Sequence, residues 1–281
     1  MSSAHPPSSP ERGPHSPPPA TNGLHVERMG RGPRLVLVHG FTQTGRVWGG
    51  MDLDLATDHE VVAVDLPGHG GSVEVVAGLA DGARLLVEAG GEATYVGYSM
   101  GARHCLQAAV AQPGPVERLV LISGTAGIDS AVERRARVLS DEALADELDP
   151  PGGPGPPGDT VEVFLRRWLD DPLFAGIGPE AGGLDERLRN TGAGLAASLR
   201  LAGTGTQQPL WDRLGRLDMP VLIITGERDD KFTALGRRMV EAIGANATQV
   251  VIAEAGHAPH LQRPGQVGAL IRRHAAGAGR R

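Results

Sequence analysis

Three short stretches carry residue types that activate an oxygen or accept a proton. In "VGYSMGARHCL", residues 96–106, Ser99 stands between Gly97 and Gly101 in a G-x-S-x-G pattern. A β-branched run, "ATYVGY" at 93–98, precedes it, and a helical pattern follows over 100–112. A serine at such a strand-to-helix turn sits in a strained backbone that exposes Oγ, and flanking glycines remove Cβ atoms that would clash there. The helix behind it adds positive potential and free N–H groups. The bland alternative is an ordinary glycine turn. A serine nucleophile needs a base, and the chain has ten histidines. His257, in "AEAGHAPH" after the last apolar run, falls in a loop above the sheet's carboxyl edge and is the expected base. His260 is the second choice, and otherwise a pocket-rim residue. The acid that orients the base is expected after the preceding run, where "PVLIITGERDDKF" offers Glu227, Asp229 and Asp230. Asp229 is preferred, and the other two read as solvated loop charges. The order Ser99, Asp229, His257 is that of the α/β-hydrolase fold.

An oxyanion site needs two backbone donors. One is Met100 N–H, next after the serine; the other is Phe41 N–H, in the "HGFTQTG" loop that begins at His39. His39 and Gly40 shape that turn. "DLPGHGGS" at 65–72 is a tight supporting loop in which His69 is hydrogen-bonded and not catalytic. His25, His59 and His274 fall near element edges and read as solvated, His104 as packed or at the surface. Arg103 follows Ser99 by four positions, so it shares a helix face one turn on. A guanidinium there suits a substrate bearing a carboxylate, which it grips as a fork; a surface arginine is the alternative.

These residues must be positioned by a scaffold. "RLVLVH" (34–39), "EVVAVD" (60–65), "ATYVGY" (93–98), "RLVLIS" (118–123), "PVLIIT" (220–225) and "TQVVIA" (248–253) are mostly continuous apolar runs. Strands buried on both faces read this way, so a parallel sheet covered by helices is expected. Helical patterns near 74–90, 100–112, 234–244 and 264–276 alternate with the runs, as in a doubly wound α/β domain. The expected core covers 24–127 and 216–276. From 128 to 215 the pattern is helical, broken by "DPPGGPGPPGD" at 149–159, which reads as a flexible loop. Such an insertion is expected as a cap over the carboxyl ends of the strands, where open α/β sheets bind ligands. Arg134, Arg135, Arg137, Arg187, Arg189 and Arg200 lie in it; most are expected at solvated faces, with one or two making the chamber basic.

Bulk composition narrows the function classes. The 281 residues are enough for one large domain with an insertion, and 40% hydrophobic content supports a sizeable core. A net charge of −6 argues against general nucleic-acid or membrane-surface binding. The single cysteine, Cys105, excludes an internal disulfide framework and fits a reducing cytoplasm. No apolar run is long enough for a membrane span. Residues 1–23 are Pro/Ser-rich with little to bury and are expected to be a disordered tail. There is no clustered Cys/His ligand set, so no metal or cofactor is expected.

The motifs together resemble the 2-succinyl-6-hydroxy-2,4-cyclohexadiene-1-carboxylate synthases of menaquinone biosynthesis, within the α/β-hydrolases. The resemblance spans about 35 to about 265. "GYSMGAR", the Arg137–Asp141 spacing, "WLDDPLF" and "GTGTQQPLW" are its more particular parts; "VHGFTQTG", "DLPGHGGS", "GERDDKF" and "GHAPHLQRP" are shared more widely. It implies an α/β-hydrolase fold, a mostly parallel central sheet flanked by helices, with a helical cap inserted after the sixth strand. It also implies that Ser99, Asp229 and His257 are the triad, that Phe41 and Met100 are the oxyanion donors, and that Arg103, Arg137 and Arg189 hold substrate carboxylates beside the pocket residues Tyr98 and Trp168. The implied ligand is a small polycarboxylate, 2-succinyl-5-enolpyruvyl-6-hydroxy-3-cyclohexene-1-carboxylate, from which pyruvate is eliminated with Ser99 as base. The chain departs from the usual pattern at Ala102, where glycine is common, and at "LQRP", where "LENP" is usual. The rival readings are a serine carboxylesterase or C–C bond hydrolase of the same fold, and a non-catalytic ligand receptor.

Overall fold

The computed structural model describes residues 23–152 and 158–277. The tail expected over 1–23 lies, apart from Gly23, outside these residues, as does the middle of the 149–159 loop.

The apolar runs pair into one sheet because every parallel strand must bury both faces. The strands are β1 (Val26–Met29), β2 (Arg34–Val38), β3 (Glu60–Val64), β4 (Ala93–Tyr98), β5 (Val116–Ile122), β6 (Val221–Gly226) and β7 (Ala247–Ile252). Their order is β1-β3-β2-β4-β5-β6-β7. Only β1 is antiparallel, pairing Val26 with Val64 across β3; the other pairs are parallel. β1 is the one strand absent from the apolar runs. It is a half-buried edge reading "VERM", too short and too polar to leave a signal.

Successive side chains point to opposite faces. Val36, Val38, Val62, Val64, Tyr95, Leu119, Leu121 and Ile223 enter one core, together with Leu86, Cys105, Leu106, Met239 and Ile243. Those five come from α2 (Leu79–Gly90), α3 (Met100–Ala111) and α9 (Asp230–Ile243). Leu35, Leu37, Val61, Val96, Val120, Ile122 and Ile224 enter the other core, against α1 (Met51–Leu55) and α11 (Pro264–Ala276). The short α10 (Pro259–Gln262) precedes α11.

Between β5 and β6 lie α4 (Ala131–Leu148), α5 (Gly158–Leu169), a 3-10 turn (Pro172–Phe174), α6 (Pro179–Gly182), α7 (Leu184–Arg187) and α8 (Gly192–Ala202). The helical cap thus follows the fifth strand of the described residues, not the sixth. Among the described residues, the antiparallel β1 and the four parallel strands β2 to β5 precede it. The cap has its own small core of Ala145, Leu148, Phe164, Leu165, Leu195 and Leu199. Side-chain caps start α4 and α8: Ser130 Oγ accepts from Glu133 N–H (3.3 Å) and Thr191 Oγ1 from Gly194 N–H (3.1 Å). Arg200 ties α8 to α4 through Glu142 (2.8 Å) and Asp146 (2.6 Å).

Candidate active site

Ser99 links β4 to α3 with φ 49° and ψ −104°, a left-handed conformation unusual for a residue with a Cβ. The glycines make it possible. A Cβ on Gly101 would lie 2.0 Å from the Val38 carbonyl oxygen, and one on Gly97 2.5 Å from Gly101. The helix therefore starts pressed against the ends of β2 and β4. Met100 opens α3, so its N–H has no intrahelical acceptor.

His257 follows β7 in a loop, and Asp229 caps α9 after β6. Asp229 Oδ1 accepts from Phe232 N–H (3.1 Å), leaving Oδ2 to accept from His257 Nδ1–H (2.7 Å). That bond sets the tautomer with Nε2 bare, 3.2 Å from Ser99 Oγ. His257 and Asp229 are buried, and the rings of Phe232 (4.4 Å) and Tyr98 (5.5 Å) flank the imidazole. The arrangement can pass a proton from a hydroxyl to an imidazole stabilised by a carboxylate.

The loop carrying Phe41 is held from below and above. Leu66 N–H donates to His39 Nε2 (3.0 Å), so Nδ1 carries the proton and donates to the Gly40 carbonyl (2.8 Å). Burial keeps His39 neutral by lowering its pKa. From the cap, Asn190 Nδ2 donates to the Thr42 carbonyl (2.7 Å) and Arg187 reaches Thr42 Oγ1.

Ser99 opens into a cavity of about 190 Å³ between the sheet and the cap. Its walls bring together Phe41, Tyr98, Met100, Arg103, Arg137, Trp168 and His257. The Trp168 ring lies 5.3 Å from Phe41 and 5.8 Å from Phe174. A second lobe of about 350 Å³ adjoins it, sharing Ser99, Arg103, Arg137 and Lys231.

Arg103 is 6% exposed and Arg187 2%. Burial pulls the Arg103 guanidinium down to about 10, with the nearby Arg137 charge acting the same way and Asp141 opposing. Burial likewise brings Arg187 down to about 10. Neither has a carboxylate within ion-pair distance among the described residues, and Arg103 Nη1 is buried without a partner. Arg137 differs: its Nε donates to the buried Asp141 carboxylate (2.7 Å).

Arg189 does not reach this cavity. It is half-exposed, 3.8 Å from Glu186, and borders a small cleft with His25, Arg46 and Asp65. α7 is a single turn ending at Arg187, and residues two apart on a turn face different ways. Arg187 takes the inward place that the motif reading gave to Arg189. Apolar periodicity could not separate the two, because both stand in the polar segment "DERLRN". Lys231, Phe232 and Phe174 also line the cavity and had no chemical signature of their own.

The other histidines fill structural roles. His260 is no rim residue: it is fully buried 4.3 Å from the Tyr98 ring and 5.2 Å from Trp48, and burial drops it to about 3. His69 and His104 are equally buried, donate to the Pro67 and Met100 carbonyls (3.0 Å each), and also fall to about 3. His25 is not solvated but pairs with Asp65 (3.0 Å), whose hydrogen bond raises its pKa. His59 is buried beside Asp58 (2.9 Å), and burial lowers His274. Among the described residues, no group of three or more His, Cys, Asp or Glu could hold a metal ion, and no helix is long and apolar enough to cross a membrane.

Residues 35–270 match the alpha/beta hydrolase family. A 2-succinyl-6-hydroxy-2,4-cyclohexadiene-1-carboxylate synthase of Salmonella agona (strain SL483) is 33% identical over 262 residues, covering 87% of this chain and 95% of that one. The synthase of the same name from Enterobacter sp. (strain 638) is 30% identical over 249 residues, covering 85% and 90%. The solved structure of MenH from S. aureus superposes with a TM-score of 0.77 at 28% identity, over 88% of this chain and 96% of that one. With the serine turn, the relay behind it and the helical cap, these likenesses show that the chain belongs to the α/β-hydrolase family, among its 2-succinyl-6-hydroxy-2,4-cyclohexadiene-1-carboxylate synthases.

Proposed function

We propose that the protein eliminates pyruvate from 2-succinyl-5-enolpyruvyl-6-hydroxy-3-cyclohexene-1-carboxylate to form 2-succinyl-6-hydroxy-2,4-cyclohexadiene-1-carboxylate in menaquinone biosynthesis. The observation that carries this reading is a serine–imidazole relay facing a cavity with two buried guanidinium groups that lack carboxylate partners. A buried, unpaired cation is costly. A ligand that brings carboxylates on its ring, its succinyl arm and its enolpyruvyl arm removes that cost. A neutral ester does not.

The ring carbon bearing the succinyl carbonyl also neighbours the ring double bond, so its proton is the acidic one. Ser99 Oγ takes that proton while its own passes to His257 Nε2, and Asp229 stabilises the imidazolium. Negative charge moves onto the succinyl carbonyl oxygen, where the N–H groups of Phe41 and Met100 are the donors. The electron pair then shifts through the ring, and the bond to the enolpyruvyl oxygen breaks. The leaving enolate takes a proton on carbon and becomes pyruvate, while His257 Nε2 gives up the proton it took from Ser99, so the site returns to its starting state. Arg103 and Arg187 hold carboxylates, Arg137 assists from the cap, and Tyr98 and Trp168 wall the ring. Lys231, at the junction of the two lobes, adds a cation for a second arm.

The test is pyruvate release from the enolpyruvyl substrate. Ser99→Ala is expected to lose at least about 10³-fold in kcat, and wild-type protein that releases no pyruvate overturns the reading. Turnover of neutral nitrophenyl esters, undiminished in Arg103→Ala, would point to a carboxylesterase instead.

A further inference from the structure

Asn190 lies between α7 and α8 of the cap, is buried, and uses both ends of its carboxamide. Oδ1 accepts from Gly70 N–H (2.9 Å) in the 65–72 loop. Nδ2 donates to the Thr42 carbonyl (2.7 Å) and to the Arg187 carbonyl (2.9 Å). The Gly70 bond fixes which end accepts, so the end that meets Thr42 is the donor. Thr42 itself has φ 67°, a left-handed backbone that a β-branched residue rarely takes. It is the third residue of a turn, 40–43, in which Gln43 N–H donates to the Gly40 carbonyl (3.2 Å), and a positive φ at that place favours Gly or Asn. The stem of this loop is held by the core, where Gly45 N–H donates to Asp65 Oδ1 (2.6 Å). Its tip is held by the cap.

We propose that Asn190 is a positioning residue that keeps the 40–43 turn closed around a strained Thr42 and so aims Phe41 N–H at the oxyanion. The path runs through two rigid peptide units. The Thr42 carbonyl, gripped by Asn190 Nδ2, shares a unit with Gln43 N–H. Gln43 N–H holds the Gly40 carbonyl, which shares the next unit with Phe41 N–H. His39 Nδ1–H steadies the same Gly40 carbonyl from the core side (2.8 Å). A donor for developing charge works best when it is held in place before the reaction begins, and a strained backbone persists only where its surroundings impose it. The proposal rests on the reading of Phe41 N–H as an oxyanion donor.

Asn190→Ala and Asn190→Asp both lack the donor for Thr42, and the aspartate keeps size and an acceptor for Gly70. Two readouts apply at pH 8. One is kcat for pyruvate release. The other is the rate at which phenylmethylsulfonyl fluoride modifies Ser99, a reaction whose sulfonyl oxygen uses the same donors and which needs no natural substrate. Both variants are expected to lose about ten- to a hundredfold in each readout, the cost of a misplaced catalytic group. Asn190→Ala is expected to keep KM within about threefold of wild type, because a donor engaged only in the transition state acts on kcat. Thr42→Gly takes a positive φ without strain, so the turn then holds itself. In that background Asn190→Ala is expected to cost no more than about threefold in either readout, whereas a general loosening of the cap would cost the same factor with Thr42 or Gly at this position. An aspartate variant with wild-type kcat, a loss in one readout without the other, or an equal alanine loss in both backgrounds overturns the proposal. A wild-type protein without pyruvate release but with the expected sulfonylation pattern overturns only the assignment of the substrate.

Discussion

At the scale of single residues, the site is governed by where charge is left unpaired. Arg103 and Arg187 are buried with no acid to neutralise them, whereas Arg137 has Asp141 and Arg189 has Glu186 and solvent. A charge-assisted hydrogen bond is worth about 1.5–3 kcal/mol, so removing one carboxylate holder shifts ligand affinity about ten- to a hundredfold. Arg103→Met is therefore expected to raise KM for the enolpyruvyl substrate by that factor, with a smaller change in kcat. Arg189→Ala is expected to stay within about twofold of wild type. Steady-state pyruvate release on both variants checks this, and equal losses would show that the two arginines are not distinguished by burial. Ser99, Asp229 and His257 were legible because each follows a strand-ending motif whose backbone geometry depends on local sequence. Arg187 was not, since its inward direction depends on one turn of helix meeting the Thr42 loop.

At the scale of elements, the junction of β4 and α3 leaves no room for a side chain. Gly101→Ala would put a methyl 2.0 Å from the Val38 carbonyl oxygen. Backbone on both sides prevents relief, so a loss of more than about 3 kcal/mol in unfolding free energy is expected from urea titration. An unchanged midpoint would mean that the helix start can retreat from β2. The α8 cap is gentler: Thr191→Ala removes one acceptor at an N-terminus and is expected to cost about 1 kcal/mol. The apolar runs predict the central strands because parallel pairing demands them, yet β1 leaves no such run, as an edge strand need bury only part of itself. The helix expected from 74 begins only at Leu79, since Gly70–Ser72 forms a 3-10 turn first.

For the molecule as a whole, buried imidazoles set the acid limit of stability. His69, His104 and His260 are held near 3 by burial, below the ordinary value of 6.5. The unfolded chain binds protons at these sites between those values, and the folded chain does not. Stability is thus fully present above 6.5 and declines as pH falls from 6.5 towards 3. Unfolding free energies measured at pH 7 and pH 5 are expected to show this slope, and His104→Gln is expected to flatten it. The His25–Asp65 pair acts in two other windows. The raised His25 pKa gives stability below 6.5 that is lost as pH rises through its folded value. Asp65, lowered to about 2, gives stability present above its ordinary 3.8 and lost as pH falls towards 2.

Strand-forming runs, the glycine-flanked serine, the order of acid and base and the helical stretch between β5 and β6 all follow from the chain read alone, because each depends on neighbours within a few residues. Which arginines lost their water, which histidines were sealed off from Ser99, and how Asn190 joins two distant loops were decided only when the cap packed onto the sheet. Burial and pairing are properties of contacts between segments far apart in the chain, and no local pattern records them.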